Sequence, residues 1–256
     1  MEADRAVKRF AIAIAIVLAT VTASAQHAAF RVKGVVRDES GAPVADADVR
    51  AEAFYGYFAG AFGGGQRTFI TRTSAKGDWN IGGLQPGVWL FEVFSPRHVP
   101  ETVILPIRIL TTVSMGQAGM ALTWDLVLKP VPAGDDDNAK FLIESAQAAR
   151  DGHADAVRTS LQQLPADADA DYLAGAGRVA IVARDFTLAR TLFARAIERD
   201  RMSYRATLGL ASTFLYDRDF DSASRAFDAA RNRTRDKDEQ RFISAAIGDL
   251  ATIKVR

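Results

Sequence analysis

The pattern of apolar and polar residues changes its period near residue 130. Before that point, short stretches alternate between apolar and polar positions, and Gly or Pro residues separate them. Alternation with a period of two is typical of half-buried β-strands. The pattern predicts seven strands, at residues 30–37, 47–54, 67–73, 78–81, 87–94, 102–110 and 121–129. Seven short strands with frequent turns favour a β-sandwich over residues 28–129.

From residue 138 onward the apolar residues recur with a helical period, and part of this region is repeated. The aromatic and small residues of 170–203 return at a constant offset of 34 residues, for example from Ala189 to Ala223. The recurring pairs are Phe186 and Phe220, Ala189 and Ala223, Phe193 and Phe227, and Ala196 and Ala230. A repeat of this length indicates units that bury their apolar faces by stacking on one another.

The two regions together predict an α+β multidomain protein. An all-α array of helical repeats is expected over 138–252, with a degenerate unit at 138–169, repeats at 170–203 and 204–237, and a closing helix at 239–250. Residues 130–137 are rich in Pro, Gly and Asp, as an interdomain linker is expected to be. Helical-repeat stacks usually bind partners along a concave surface, so the repeats favour a binding function.

The first 25 residues have the composition of an export signal. Basic residues precede the apolar run 10–21, and Ala-Ser-Ala at 23–25 fits a signal-peptidase site. The apolar run is shorter than the roughly 20 residues that span a bilayer. We therefore expect a cleaved signal peptide at 1–25 rather than a membrane anchor, and a periplasmic or secreted protein with no membrane span after cleavage.

Composition narrows the function classes further. The chain of 256 residues has a formal net charge of +1, so no strong field favours nucleic acid as a partner. It contains no cysteine, which excludes disulfide bonds and thiolate metal sites. Stability must therefore come from core packing, for which 48% hydrophobic residues are sufficient.

Two segments of the β region resemble a known family. Residues 34–44 read Gly-Val-Val-Arg-Asp-Glu-Ser-Gly-Ala-Pro-Val, and residues 73–79 and 84–89 supply a Thr-x-x-x-Gly-x-Trp and a Leu-x-Pro-Gly-x-Trp step. These segments are similar to the signatures of carboxypeptidase regulatory-like domains, whose sandwich is transthyretin-like or carbohydrate-binding-like. The resemblance implies a structural or adhesive role without catalytic residues. The chain departs from the family at Arg97-His98 and in a long insertion, 55–65.

The two good repeats are similar to tetratricopeptide units. In that family the first helix of each unit lines the concave face, and Arg and Tyr are residue types that often dominate recognition. The resemblance implies that a protein or peptide partner of the cell envelope binds Asp171, Ala174, Arg178, Ile181, Val182, Arg205, Leu208, Ser212, Leu215 and Tyr216. The alternatives are a solvated helix face and a face covered by the termini of the array. The array is short, which also leaves room for the sandwich to dock on it or for dimerisation.

The insertion is a second candidate site. Its aromatic residues between glycines could stack on a carbohydrate or on a partner; they are Tyr55, Tyr57, Phe58 and Phe62. The alternative is a hairpin tip whose aromatic side chains pack onto the end of the sandwich. The sequence thus leaves a glycan-binding module open beside an interaction scaffold.

Catalytic and metal-binding patterns are weak. His98 and Glu101 have a His-x-x-Glu spacing, but Pro100 lies between them and no companion ligand pattern follows. No nucleophile elbow or phosphate-binding loop is present, and the acidic run 135–137 fits the start of a helix better than a calcium loop. We expect a non-enzymatic scaffold of the bacterial cell envelope, with no cofactor, no metal and no catalytic residue; a metal-dependent hydrolase is the remote alternative.

Overall fold

The computed structural model describes residues 30–56, 67–107, 121–130 and 137–254. Eight strands come first: β1 (Phe30–Asp38), β2 (Asp48–Gly56), β3 (Thr68–Arg72), β4 (Asp78–Leu84), β5 (Gly87–Ser95), β6 (His98–Ile107), β7 (Ala121–Thr123) and β8 (Leu126–Leu128). Seven helices follow: α1 (Asp137–Arg150), α2 (Ala154–Gln162), α3 (Ala170–Val182), α4 (Phe186–Arg199), α5 (Tyr204–Tyr216), α6 (Phe220–Arg231) and α7 (Lys237–Lys254). We call 30–130 the β unit and 137–254 the helical array. The predicted signal peptide lies outside the described residues.

The β unit contains two four-stranded sheets. In one sheet β1 is central, antiparallel to β4 and parallel to β7 and β8. The other sheet has the order β3-β2-β5-β6 and is antiparallel throughout. Rings from the two sheets meet in the core, where the ring centroid of Trp124 lies 5.9 Å from that of Phe91 and 6.0 Å from that of Trp79. The α+β organisation is confirmed, but a seven-stranded sandwich is not, because the described residues form eight strands.

The extra strand arises from a break at Trp124 and Asp125. The backbone N–H of Trp124 donates to the carbonyl oxygen of Lys33, and the N–H of Val35 donates to Asp125 Oδ1, both at 2.8 Å. A carboxylate thus takes the place of a strand carbonyl, which divides the predicted strand 121–129 into β7 and β8. The crossing is tight, since a Cβ on Gly34 would lie 1.9 Å from the Trp124 carbonyl oxygen.

Each predicted repeat forms a pair of helices joined by the same turn. Arg184 and Arg218 follow α3 and α5 with positive φ angles of 61° and 60°. The next residue, Asp185 or Asp219, caps the following helix by accepting a hydrogen bond from a backbone N–H in its first turn. The Arg-Asp step that recurs in the sequence is therefore the reversal between the two helices of each unit.

Close helix packing within the array depends on small residues around Phe193. This ring on α4 is fully buried. A Cβ on Gly177 of α3 or on Gly209 of α5 would come within 2.6 Å or 2.3 Å of it. One aromatic side chain therefore fills the space between the first helices of two consecutive repeats.

The β unit and the helical array share a continuous hydrophobic core. Strand β6 lies against α1, α3 and α5, and α7 contacts both β6 and β7. The ring of Trp124 stacks on Phe242 of α7 at a centroid distance of 5.6 Å. We call the side of α1, α3 and α5 that contacts β6 the docking face.

Within the part of the chain that the structure describes, no helix combines the length and the apolar character that crossing a membrane requires.

Candidate functional site at the junction of the two units

The docking face binds the backbone of β6 through side chains of the first helices. Ser212 Oγ on α5 accepts a hydrogen bond from the N–H of Ile104 at 3.0 Å. Arg178 Nε on α3 donates to the carbonyl oxygen of Pro100, also at 3.0 Å. Arg178 is only 4% exposed. The face that the repeats were expected to offer to a partner is thus covered by a strand of the same chain.

The contact with β6 buries most of the predicted partner-binding residues and leaves a few exposed. Buried members of the set are Ala174, Arg178, Ile181, Val182, Leu208, Ser212 and Leu215. Arg205 is half-buried, and only Asp171 and Tyr216 are exposed. The expectation of an open face is therefore wrong, and the cover is the β unit rather than the termini of the array. Partner binding itself stays a prediction.

A cluster of charges joins β2 and β5 to the helical array. Glu52 Oε2 accepts from Arg50 at 2.8 Å and from Arg184, in the turn after α3, at 2.5 Å. Arg150, at the end of α1, lies 3.3 Å from both Asp48 and Glu92. These pairs fix the end of α1 and the α3–α4 turn on one sheet.

Glu92 is the most deeply buried acid of this cluster, at 3% exposure. Burial raises the pKa of its carboxyl group, and the positive charges of Arg150, Arg50 and Arg184 oppose that rise only in part. Its Oε1 atom is near Arg150 but has no hydrogen bond with suitable geometry among the described residues. The ion pair is therefore incompletely satisfied.

An aromatic cluster lies at one edge of the junction. Phe54 of β2 makes edge contacts with Phe186 and Tyr216, at centroid distances of 5.4 Å and 5.6 Å. Phe186 and Tyr216 stack on each other. The predicted glycan-binding residues Tyr57, Phe58 and Phe62, and the side chain of Tyr55, lie outside the described part of the structure. Carbohydrate binding stays a prediction.

A small open cavity, which we call the junction cavity, lies at another edge. Val99 and Lys129 of the β unit line it together with the first turn of α1 and parts of α3 and α5. Its charged lining residues are Lys129, Asp169, Asp171, Arg178 and Arg205. Sequence reasoning missed this cavity because residues more than 70 positions apart in the chain form it, such as Lys129 and Arg205.

Arg178 connects the docking face to the junction cavity. Its Nε atom is 3.8 Å from Glu101, longer than a hydrogen bond, and Nη1 has no hydrogen-bond partner among the described residues. Burial lowers the pKa of this guanidinium, and the charge of Glu101 opposes the change. An arginine nevertheless stays protonated at neutral pH.

The histidines of the described residues form no site with a catalytic arrangement. His98 Nδ1 lies 3.0 Å from Ser95 Oγ, and both side chains are buried in the turn between β5 and β6. Burial lowers the pKa of His98, and the charge of Asp38 opposes this. Residues 30–56, 67–107, 121–130 and 137–254 hold no cluster of three or more potential metal ligands. The absence of enzymatic activity stays a prediction.

No family model matches this chain, and no curated protein matches it. Among solved structures it is similar to PcrH from Pseudomonas aeruginosa, at 18% identity over 47% of this chain and 94% of that one, with a TM-score of 0.38. The type III secretion chaperone SycD of Yersinia enterocolitica, solved with a peptide of the translocator YopD, matches at 16% identity over 48% of this chain and 97% of that one, with the same score.

A dioxygenase domain from a carbohydrate-binding fusion of Streptomyces sp. SirexAA-E matches at 19% identity over 42% of this chain and 83% of that one, with a TM-score of 0.33. Each of these three structures corresponds to less than half of the chain. Likeness at these scores assigns neither a family nor an activity, and the resemblance to carboxypeptidase regulatory-like domains stays a prediction.

Proposed function

We propose that this chain is an exported, non-enzymatic scaffold of the bacterial cell envelope, and that its β unit and helical array bind a protein partner together. The supporting observation is one exposed apolar side chain from each unit, on two segments that a hydrogen bond joins. Val127 of β8 is 44% exposed, and Met202, which precedes α5, is 65% exposed. Arg205 Nη2 donates to the carbonyl oxygen of Val127 at 3.0 Å, so β8 and the start of α5 are adjacent.

Val127, Met202 and Arg205 form what we call the junction rim. Exposed apolar side chains from two structural units, beside an arginine, are a common composition of protein interfaces. The described residues have only four exposed large hydrophobic side chains, and two of them belong to this rim. A surface that requires both units also fits their shared core, because that core holds the two sides of the rim in a fixed relation.

The docking face is an unsuitable partner surface while the two units are joined. A partner there would have to displace β6, which pairs with β5 along most of its length. It would also have to replace the contacts of Arg178 and Ser212 with the β6 backbone. We therefore place the partner at the junction rim.

Site-specific photo-crosslinking in a bacterium that exports the chain tests this proposal. A photoreactive phenylalanine analogue replaces Met202, and the matched control carries it at Ile70, which is 68% exposed on β3. We expect a discrete protein adduct from position 202 that Val127→Lys abolishes, and none from position 70. Adducts from neither position, or equally from both, would contradict binding at the rim.

Two further measurements test export and the glycan alternative. N-terminal sequencing of the exported protein is expected to start at Gln26. A glycan array is expected to show no carbohydrate that requires the aromatic insertion. Binding that Tyr57→Ala and Phe58→Ala abolish, without any adduct from position 202, would replace the scaffold by a glycan-binding module.

A further inference from the structure

We propose that the partner of the junction rim presents an acidic segment, whose carboxylates bind Arg201 and Arg235. An apolar side chain of the same segment would contact Met202 of the rim. This inference rests on the proposed function and names the chemistry of the partner. Arg201 directly precedes Met202 in the turn between α4 and α5, and Arg235 lies in the turn between α6 and α7.

The two arginines belong to a pattern that the 34-residue repeat contains twice. Arg199 and Arg201 at the end of the first good repeat return as Arg233 and Arg235 at the end of the second. The first member of each pair binds the chain itself: Arg199 donates to a backbone carbonyl oxygen at 2.6 Å, and Arg233 donates to Thr207 on α5. The second member of each pair is exposed and has no hydrogen bond or ion pair within the described residues. We call Arg201 and Arg235 the free arginines.

The turn between α6 and α7 lies beside the junction rim. The bond from Arg233 to Thr207 holds this turn against the first turn of α5. On the opposite side of the same helix, Arg205 donates to the carbonyl oxygen of Val127 in β8. The start of α5, with Met202 shortly before it, thus lies between β8 and the α6–α7 turn. The free arginines therefore lie close to the exposed apolar side chains of the rim.

The acidic residues of the same two turns already have partners. Asp200 accepts from a backbone N–H of its own turn at 2.8 Å. Asp236 accepts from the N–H groups of Asp238 and Glu239, at 2.7 Å and 3.2 Å, where α7 begins. Asp238 itself pairs with Arg241. Because these carboxylates are directed to the chain, a surplus of exposed positive charge remains at this end of the helical array.

Exposed arginines beside an apolar side chain favour a protein segment over a nucleic acid or a lipid surface. The planar fork of an arginine matches the two oxygens of one carboxylate, and arginine is frequent among the residues that dominate protein interfaces. The formal net charge of +1 gives no long-range attraction for a polyanion. Met202 is 65% exposed and offers a flexible apolar contact, which an acidic segment with one apolar residue would use.

Binding of short synthetic peptides to the purified chain, followed by fluorescence anisotropy, tests the acidic partner. The probe is the labelled peptide Glu-Glu-Leu-Glu-Glu, and its matched control is Gln-Gln-Leu-Gln-Gln. We expect saturable binding of the acidic peptide only. This binding should weaken as sodium chloride is raised to about 1 M, because salt screens exposed charges. Exchange of the leucine for alanine should also weaken it, because the apolar contact becomes smaller.

Three variants of the chain locate the binding. Arg201→Gln and Arg235→Gln are each expected to weaken binding of the acidic peptide about threefold, since an exposed ion pair contributes modestly, and about tenfold together. Arg225→Gln is the matched control. It removes an exposed arginine of α6 whose side chain donates to Ser222, and it should leave the affinity for the peptide unchanged.

The same substitutions in the crosslinking experiment separate this inference from the proposed function. The photoreactive analogue stays at position 202, and the adduct is expected to lose most of its yield when Arg201→Gln and Arg235→Gln are combined. An adduct that the combined substitutions leave unchanged would overturn the acidic partner, while the rim would remain a partner surface. The absence of any adduct in the parent chain would contradict the rim itself, and this inference with it.

Two further results would overturn the proposal. One is equal binding of the acidic peptide and its glutamine control. The other is binding of the chain to vesicles of phosphatidylglycerol that requires Arg201 and Arg235, without binding of the acidic peptide. In that case the free arginines would serve an anionic membrane surface rather than a protein.

Discussion

Arg178 shows how a single residue can be assigned a different role once its surroundings are known. In the sequence it is a cation on the first helix of a repeat, a position typical of partner recognition. In the structure its guanidinium is buried, donates to the Pro100 carbonyl oxygen and lies near Glu101. The same side chain is therefore a main contact between the β unit and the helical array.

Replacing Arg178 with alanine is expected to lower the free energy of unfolding by about 3 kcal/mol, since it leaves Glu101 and a buried carbonyl without their partner. Arg195→Ala removes an arginine that also donates to a proline carbonyl, but at a more exposed place, and should cost less than about 1 kcal/mol. Urea unfolding followed by circular dichroism measures both. Equal losses would show that Arg178 has no special role in docking.

Glu92 makes the contact between the β unit and the helical array depend on pH. Its pKa in the folded protein is above the ordinary value of 4.5, because burial disfavours the charged form. The folded state thus binds the proton more tightly than the unfolded state. This contribution to stability is complete below pH 4.5 and is lost as the pH rises through the folded pKa.

We expect Glu92→Gln to remove this loss, so that the difference in stability between variant and parent moves in favour of the variant as the pH rises from 4.5. Chemical denaturation at a series of pH values measures the difference. Glu144→Gln, which changes an exposed glutamate on α1, is the matched control for the loss of one carboxylate. If the free energy of unfolding changed with pH equally in Glu92→Gln and in the parent, the raised pKa of Glu92 would be contradicted.

At the scale of elements, glycine positions decide how closely the helices approach. Gly209→Ala would place a methyl group against the buried ring of Phe193, and overpacking of this kind costs about 2 kcal/mol. Gly248→Ala in α7 meets nothing within 4 Å and should instead stabilise the helix by about 1 kcal/mol. Thermal or urea unfolding of the two variants is expected to give shifts of opposite sign, and a shared sign would contradict the packing described for Phe193.

Local patterns predicted most elements because each follows from residues close together in the chain. The helix pairs follow from the 34-residue repeat, whose turns place Asp185 and Asp219 as caps. Strand β6 begins at His98 rather than at 102, since a proline such as Pro100 is tolerated in an edge strand. The break at Asp125 was missed because it depends on a hydrogen bond to Val35, 90 positions away.

The candidate site could be predicted less well than the fold. The docking face requires contacts such as that between Ile104 and Ser212, which are 108 positions apart. Helical periodicity shows which positions of a helix are apolar or small, but it does not show which surface covers them. For this reason the predicted partner-binding residues include some at the edge of the junction, such as Arg205, together with residues that the β unit buries.

At the scale of the whole molecule, the continuous core predicts that the β unit and the helical array unfold together. All three tryptophans, Trp79, Trp89 and Trp124, lie in the β unit, so fluorescence reports that unit while circular dichroism reports mainly the helices. We expect the two urea transitions to coincide. Separate midpoints in the parent chain would show that the units are independent.

Ser212→Phe introduces a bulky ring at a fully buried residue of the docking face and is expected to separate the two transitions. Ser160→Phe is the control on an exposed part of α2 and should leave them coincident. Coincident transitions in Ser212→Phe, at an unchanged midpoint, would contradict the importance of the docking face for cooperativity.

The covered docking face also constrains how such a chain can change by recombination. A fusion that transferred only residues 137–254 would expose a surface shaped for β6, and one that transferred only residues 30–130 would expose Trp124 and the outer side of β6. Either fragment would carry an aggregation-prone apolar patch. We therefore expect recombination to give a folded product only when both units are transferred together. The linker separates the two units in the sequence, but the protein cannot be divided there.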